Sequence, residues 1–159
     1  MLYALLAAVL VVVDQLVKHW VLNTIPLGGH VPFIPHIVEL TYVQNTGAAF
    51  SMFSKYTWML TVISLVMSVV LAAALWKNFF RHPLGKLPIT LLLAGAVGNL
   101  IDRMARGFVV DMFNVLFKHF AVFNVADICV VVGGIAGALY YLFLADKLEL
   151  KEETHDADG

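Results

Sequence analysis

Four apolar stretches, each close to the length of a membrane-crossing helix, leave this chain few folds to choose from. A hydrocarbon core roughly 30 Å thick needs about 20 apolar helical residues to cross it. The first stretch runs from about Leu2 to Leu22, interrupted by Asp14, Gln15, Lys18 and His19. The second, about Thr57 to Trp76, has no charge and carries Trp58 and Trp76 at its ends. Indoles favour the lipid–water interface. The third runs from about Leu87 to Ile101 and ends in Asp102 and Arg103, with Pro88 suited to a first helical turn. The fourth runs from about Val125 to Leu144, closed by Tyr140, Tyr141 and the Asp146-Lys147 pair. The first stretch lacks a basic leader and a clear small-x-small site. With Asp14 and Lys18 inside it, it reads as a span rather than a cleaved signal peptide. The expected fold class is therefore an all-α integral membrane protein with four transmembrane helices.

Charge agrees with lipid as the solvent. Only 13% of residues are charged, against about 25% in ordinary soluble domains. Six of the eleven acids (Asp146, Glu149, Glu152, Glu153, Asp156 and Asp158) sit in the last 14 positions, a tail that reads as solvated and disordered. The rest reads as one domain over residues 1–145. A net charge of −1 without a basic stripe argues against nucleic-acid binding. Cys129 is the single cysteine, which excludes an intrachain disulfide. The Lys77–Lys86 loop carries three bases and no acid. The positive-inside rule makes it cytoplasmic, and both termini with it. The loops at about 23–56 and 104–124 then face outside. In the first of these, Val38-Glu-Leu-Thr-Tyr-Val43 reads as a short strand and Gln44-Asn-Thr-Gly47 as a turn. Ala48 to Phe53 is apolar enough to lie on the membrane surface.

Ionisable residues within or beside membrane spans are costly and point to function. Asp14 and Lys18 share a helix face at i, i+4. They are either a structural ion pair or a polar patch facing a substrate. Asn99, Asp102 and Arg103 end one face of the third helix, and Gly95 and Gly98 let another backbone approach. Arg103 alone would read as a snorkelling anchor. Asp111 lies in the apolar run after Phe108-Val-Val. Asn124 and Asp127 open the fourth helix with the spacing of an N-cap and its N3 partner. Capping does not exclude chemistry. Two carboxylates that meet share a proton, because close like charges do not both ionise easily. One can then activate water while the other protonates a scissile carbonyl. The outward acids Glu39, Asp102, Asp111 and Asp127 allow several such pairings.

Competing chemistries have less support. There is no H-E-x-x-H, and the six histidines are scattered, so no metal site is expected. There is no G-x-S-x-G. Lys18 is more simply Asp14's partner than the base of a Ser–Lys dyad. Cys129 reads as core, and Gly133 with Gly137 as helix packing.

In order along the chain stand Asp14-Gln-Leu-Val-Lys18, Asn45-Thr-Gly-Ala-Ala-Phe50, Gly95-Ala-Val-Gly-Asn-Leu-Ile-Asp-Arg103, Val109-Val-Asp111 and Phe123-Asn-Val-Ala-Asp127. Over residues 2–145 this series resembles the lipoprotein signal peptidases, the type II signal peptidases of bacteria. The resemblance implies an aspartic endopeptidase of the cell membrane that uses no metal or cofactor. It would remove the signal peptide of diacylglyceryl-modified prolipoproteins, cutting just before the lipidated cysteine. It implies Asp111 and Asp127 as the catalytic pair. Asp14, Lys18, Asn45, Gly47, Asn99, Asp102, Arg103, Asn124 and Ala126 would bind substrate or support that pair. It also implies a small extracytoplasmic β-cradle and a surface helix in the first outer loop, inhibition by globomycin, contact with membrane lipid, and action as a monomer. The rival reading is a small transporter or channel with Asp14, Lys18, Asn99 and Asp102 along a polar path. A third is a structural subunit whose polar residues bind partner helices.

Overall fold

The computed structural model describes residues 1–47, 57–117 and 120–148. Its helices are α1 (Leu2–Thr24), α2 (Thr57–Trp76), α3 (Pro83–Arg106) and α4 (Val125–Phe143). All four are long and apolar enough to cross a membrane. The strands β1 (His30–Ile34), β2 (Val38–Asn45) and β3 (Val109–Val115) form one antiparallel sheet in the order β1-β2-β3. The four-span architecture expected from the sequence is the one observed.

The helices are built for lipid outside and polarity inside. On α1 the buried residues are Ala7, Asp14, Lys18 and Val21, a single stripe at helical spacing. Leu5, Val9, Val12, Val13, Leu16 and Trp20 are exposed around it. Water would drive the opposite arrangement. In a bilayer, apolar side chains lose nothing by facing outward, while charges must find partners inside. α2 buries only Ser68. α3 buries the most residues of the four and packs against each of the others. Its glycines permit this: a Cβ on Gly95 would strike the Ala126 carbonyl, and one on Gly98 would lie 2.7 Å from the Asp14 carboxylate.

The structure differs locally from the sequence reading at three points. α3 starts at Pro83, a turn before Pro88, because His82 caps it by accepting from the Leu84 amide at 3.2 Å. Pro83 fits the first turn, where its missing N–H has no intrahelical role, and Pro88 lies within the helix. The sheet is also not confined to the α1–α2 connection, because β3 comes from the α3–α4 connection. β2 runs on through Gln44 and Asn45, which were expected to turn. The expected apolar surface patch at 48–53, and with it the expected surface helix, lie outside the described residues.

The sheet sits on the end of α1 near Thr24. Val21 and Ile25 pack with Tyr42 of β2 and Val110 and Met112 of β3 in one buried cluster. Asp111 stands between two of these anchors and pairs in register with Val43. Packing on either side of it therefore fixes where its carboxyl points.

Candidate active site

Asp111 lies on β3 and is 2% exposed. Its Oδ2 accepts from Asn45 Nδ2 at 2.9 Å, and its Oδ1 from Asn124 Nδ2 at 2.6 Å. Asn45 is held in turn, because its Oδ1 accepts from the Gly47 amide at 2.9 Å. Asp127 lies in the first turn of α4 and is half-buried. Its Oδ1 accepts from Asn99 Nδ2 at 2.8 Å, and its Oδ2 from the Asn124 amide at 3.2 Å. Asn124 Oδ1 accepts from the Asp127 amide at 2.9 Å, which completes the reciprocal cap read from the sequence. Asn124 thus touches both carboxyls, one through its side chain and one through its backbone.

Both aspartates line one cavity of about 650 Å³. Asn45, Gly47, Asn99 and Arg103 supply its polar wall, and α2, α3 and α4 supply its apolar wall, including Ile63, Met67, Leu92 and Val130. Arg103 reaches across it. Its Nη2 donates to the Gly47 carbonyl at 3.3 Å and its Nη1 to Ser64 Oγ at 3.3 Å. Its Nε is buried and has no hydrogen-bond partner among the described residues. Burial pushes the Asp111 carboxyl up to about 6, and the charge of Asp127 adds to the push. The Asn45 and Asn124 amides and the Lys18 charge oppose it. An acid that titrates near neutrality is suited to passing protons.

Asp14, Lys18, Asp102, Asn124 and Ala126 do not line the cavity. They form the layer behind it. Lys18 Nζ, wholly buried, lies 2.9 Å from Asp14 Oδ2, 3.0 Å from Asp102 Oδ2 and 3.0 Å from Asn99 Oδ1. Asp14 Oδ1 accepts from the Ala126 amide at 2.9 Å, and Asp102 Oδ2 from the Val110 amide at 3.1 Å. Of the two readings of Asp14 and Lys18, the structure has the structural ion pair, not a patch facing the cavity. Each acid of this layer also fixes backbone next to a cavity aspartate: Ala126 precedes Asp127, and Val110 precedes Asp111.

Of the four outward acids, only Asp111 and Asp127 share the cavity. Asp102 is bound by Lys18 and Arg106. Glu39 lies across the sheet, where the Asn114 amide at 2.7 Å holds its carboxyl below the usual carboxylate range. Sequence reasoning did not single out Gln15, Ser64 or Arg106. Gln15 Nε2 donates to Asp14 Oδ2 at 3.1 Å, to the Gly98 carbonyl at 3.1 Å and to Asp102 Oδ1 at 3.3 Å. Arg106 stands four residues after Asp102, a spacing that could have flagged the pair. Among the described residues, no three His, Cys, Asp or Glu side chains are grouped so as to hold a metal ion.

Four membrane-length helices, with two aspartates lining one largely apolar cavity, define a multi-pass membrane protein. A family model described as signal peptidase II matches residues 6–143. Lipoprotein signal peptidases of Clostridioides difficile (strain 630) and Streptococcus pneumoniae (strain ATCC BAA-255 / R6) are 40% and 44% identical to it. The first match covers 92% of this chain and 99% of the relative; the second covers 82% and 85%. A bacterial membrane enzyme solved by the in meso method at 2.3 Å resolution superposes with a TM-score of 0.83 at 29% identity, covering 91% of this chain and 89% of that one. A second, solved at 1.9 Å, gives 0.81 at 30% identity, with 89% and 93% covered. The chain belongs to the signal peptidase II family, and it is a membrane peptidase.

Proposed function

We propose that this peptidase removes the signal peptide of diacylglyceryl-modified prolipoproteins by an aspartic mechanism in which Asp111 and Asp127 are the catalytic pair. One observation carries the reading: these two acids line one cavity, and Asn124 ties them together. The ionised carboxyl of the pair takes a proton from water as the oxygen attacks the scissile carbonyl carbon. The protonated carboxyl gives its proton to the carbonyl oxygen. The tetrahedral intermediate then collapses, the C–N bond breaks, and the leaving nitrogen takes up a proton from the pair. No metal or cofactor enters this scheme.

The apolar wall suits acyl chains and an apolar signal segment, while Arg103 and Asn45 face the polar end where a peptide bond would lie. By the positive-inside rule, the basic Lys77–Lys86 segment and both termini are cytoplasmic, and the sheet and cavity mouth are extracytoplasmic. In this reading, residues 1–145 act as one peptidase domain in the cell membrane, as a monomer, with 146–159 as a cytoplasmic tail. The test is cleavage of a synthetic diacylglyceryl precursor by the purified protein, with the unlipidated precursor and globomycin as controls. Cleavage before the lipidated cysteine, blocked by globomycin and absent without the lipid, is expected. Equal cleavage of the unlipidated precursor contradicts the substrate class.

A further inference from the structure

Asp102 is fully buried and uses both of its oxygens. Oδ2 takes Lys18 Nζ and the Val110 amide; Oδ1 takes Gln15 Nε2 and Arg106 Nη1. These bonds straddle the bend between α3 and β3. Arg106 is the last residue of α3, Gly107 reverses the chain at φ 78°, and β3 starts at Val109. The bend is held by the Gly107 amide on the Arg103 carbonyl at 3.1 Å and by the Val110 amide on Asp102. The position of Asp111 in β3 thus depends on how the Asp102 carboxylate is held.

We infer that Arg106 is a positioning residue for Asp111: it clamps the Asp102 carboxylate, which fixes the Val110 amide and the start of the strand that presents Asp111. The inference rests on the assignment of Asp111 as a reacting group. Arg106 itself stays off the cavity wall, with its side chain 25% exposed. Its charge counts as well as its bond. Among the described residues, the charged groups around Asp102 and Asp111 are Asp14 and Lys18 on α1, Asp102, Arg103 and Arg106 on α3, and Asp127 on α4. α2 contributes no charge, and β2 contributes the neutral Asn45. With Arg106 in place, Asp14 and Asp102 are matched by Lys18 and Arg106. Without it, two buried carboxylates share one ammonium, and an unbalanced negative charge lies on the group bonded to Asp111's neighbour. That charge makes loss of the Asp111 proton harder.

The test uses the purified full chain carrying Arg106→Gln, and separately Arg106→Lys, with the lipidated precursor as substrate. Arg106→Gln is expected to lower kcat roughly tenfold with KM within about twofold, the effect of a reacting group displaced by a fraction of an ångström. It is also expected to move the alkaline limb of the kcat/KM profile to higher pH. Arg106→Lys should recover most of the rate and return the limb. A role confined to closing the helix end would move neither the limb nor its rescue. Arg106→Gln with the wild-type rate and pH profile overturns the inference. So does a slower Arg106→Gln with an unmoved limb, or, where Arg106→Gln does not fold, a folded Arg106→Lys with a displaced limb. Asp111→Asn in the same assay separates the two levels. Full activity there defeats the assignment of Asp111 itself. An inactive Asp111→Asn beside a fully active Arg106→Gln defeats only the role of Arg106.

Discussion

Replacing Lys18 by Met should be among the most damaging single changes in the chain. Lys18 is 0% exposed and is the ammonium shared by Asp14 and Asp102. Met keeps much of its length but none of its charge. Asp102 would keep Arg106, Gln15 and the Val110 amide. Among the described residues, Asp14 would keep only Gln15 and the Ala126 amide, with no cation. Breaking a buried ion pair by removing one partner costs about 3–5 kcal/mol, because the other charge stays buried and uncompensated. For a chain of this size each kcal/mol moves the melting temperature by about 2–4 °C, so a fall of roughly 6–20 °C is expected. Thermal unfolding of the purified protein in detergent measures it. The cause is checked by Lys18→Met/Asp14→Asn, which removes the stranded charge along with its partner. That double variant should be more stable than the sum of the two single changes by about 1 kcal/mol or more. The reasoning fails if Lys18→Met melts within a degree or so of the wild type, or if the two changes are additive.

The cavity carries three further predictions. Asp111 holds its proton up to about pH 6 and loses it above. A mechanism that needs one proton on the pair should therefore lose kcat/KM as pH rises through that region, read from a pH–rate profile of the free enzyme. Removing the Asp127 charge takes away one upward push, so the Asp111 carboxyl in Asp127→Asn should titrate at lower pH, as read by its 13C resonance. Gly95→Ala puts a methyl group against the Ala126 carbonyl, a backbone atom that moves only with α4. It should cost about 1–3 kcal/mol of stability and slow cleavage, because Ala126 adjoins Asp127; unchanged melting and rate would contradict this packing.

The spans were legible because each is a long apolar run, and the cap at Asn124 and Asp127 because it is local. What lay between distant segments was not legible. Lys18 could be paired with Asp14 at i, i+4, but its bonds to Asn99 and Asp102 join residues more than 80 positions apart. β3 escaped because Val109, Val110, Asp111 and Met112 are all buried, which leaves no alternating pattern to read. β1 escaped because it is an exposed edge strand with Pro32 in it. The start of α3 was misplaced because two prolines offered a first turn, and only the His82 cap favours the earlier one. The motifs named Asp111 and Asp127, but composition alone could not choose between pairings. The sheet register and the Asn124 bridge bring Asp111 and Asp127 to one cavity.

The central claim is that Asp111 and Asp127 perform the chemistry together. Its most direct test is cleavage of the lipidated precursor by purified Asp111→Asn and Asp127→Asn, each checked by thermal unfolding. Asn keeps the shape of either side chain but cannot exchange the shared proton. Both variants should fold and still bind the precursor, with cleavage reduced to background. Asp127→Asn should also melt somewhat lower, because Asp127 is half of the α4 cap. A folded variant of either residue that cleaves at the wild-type rate would contradict the account.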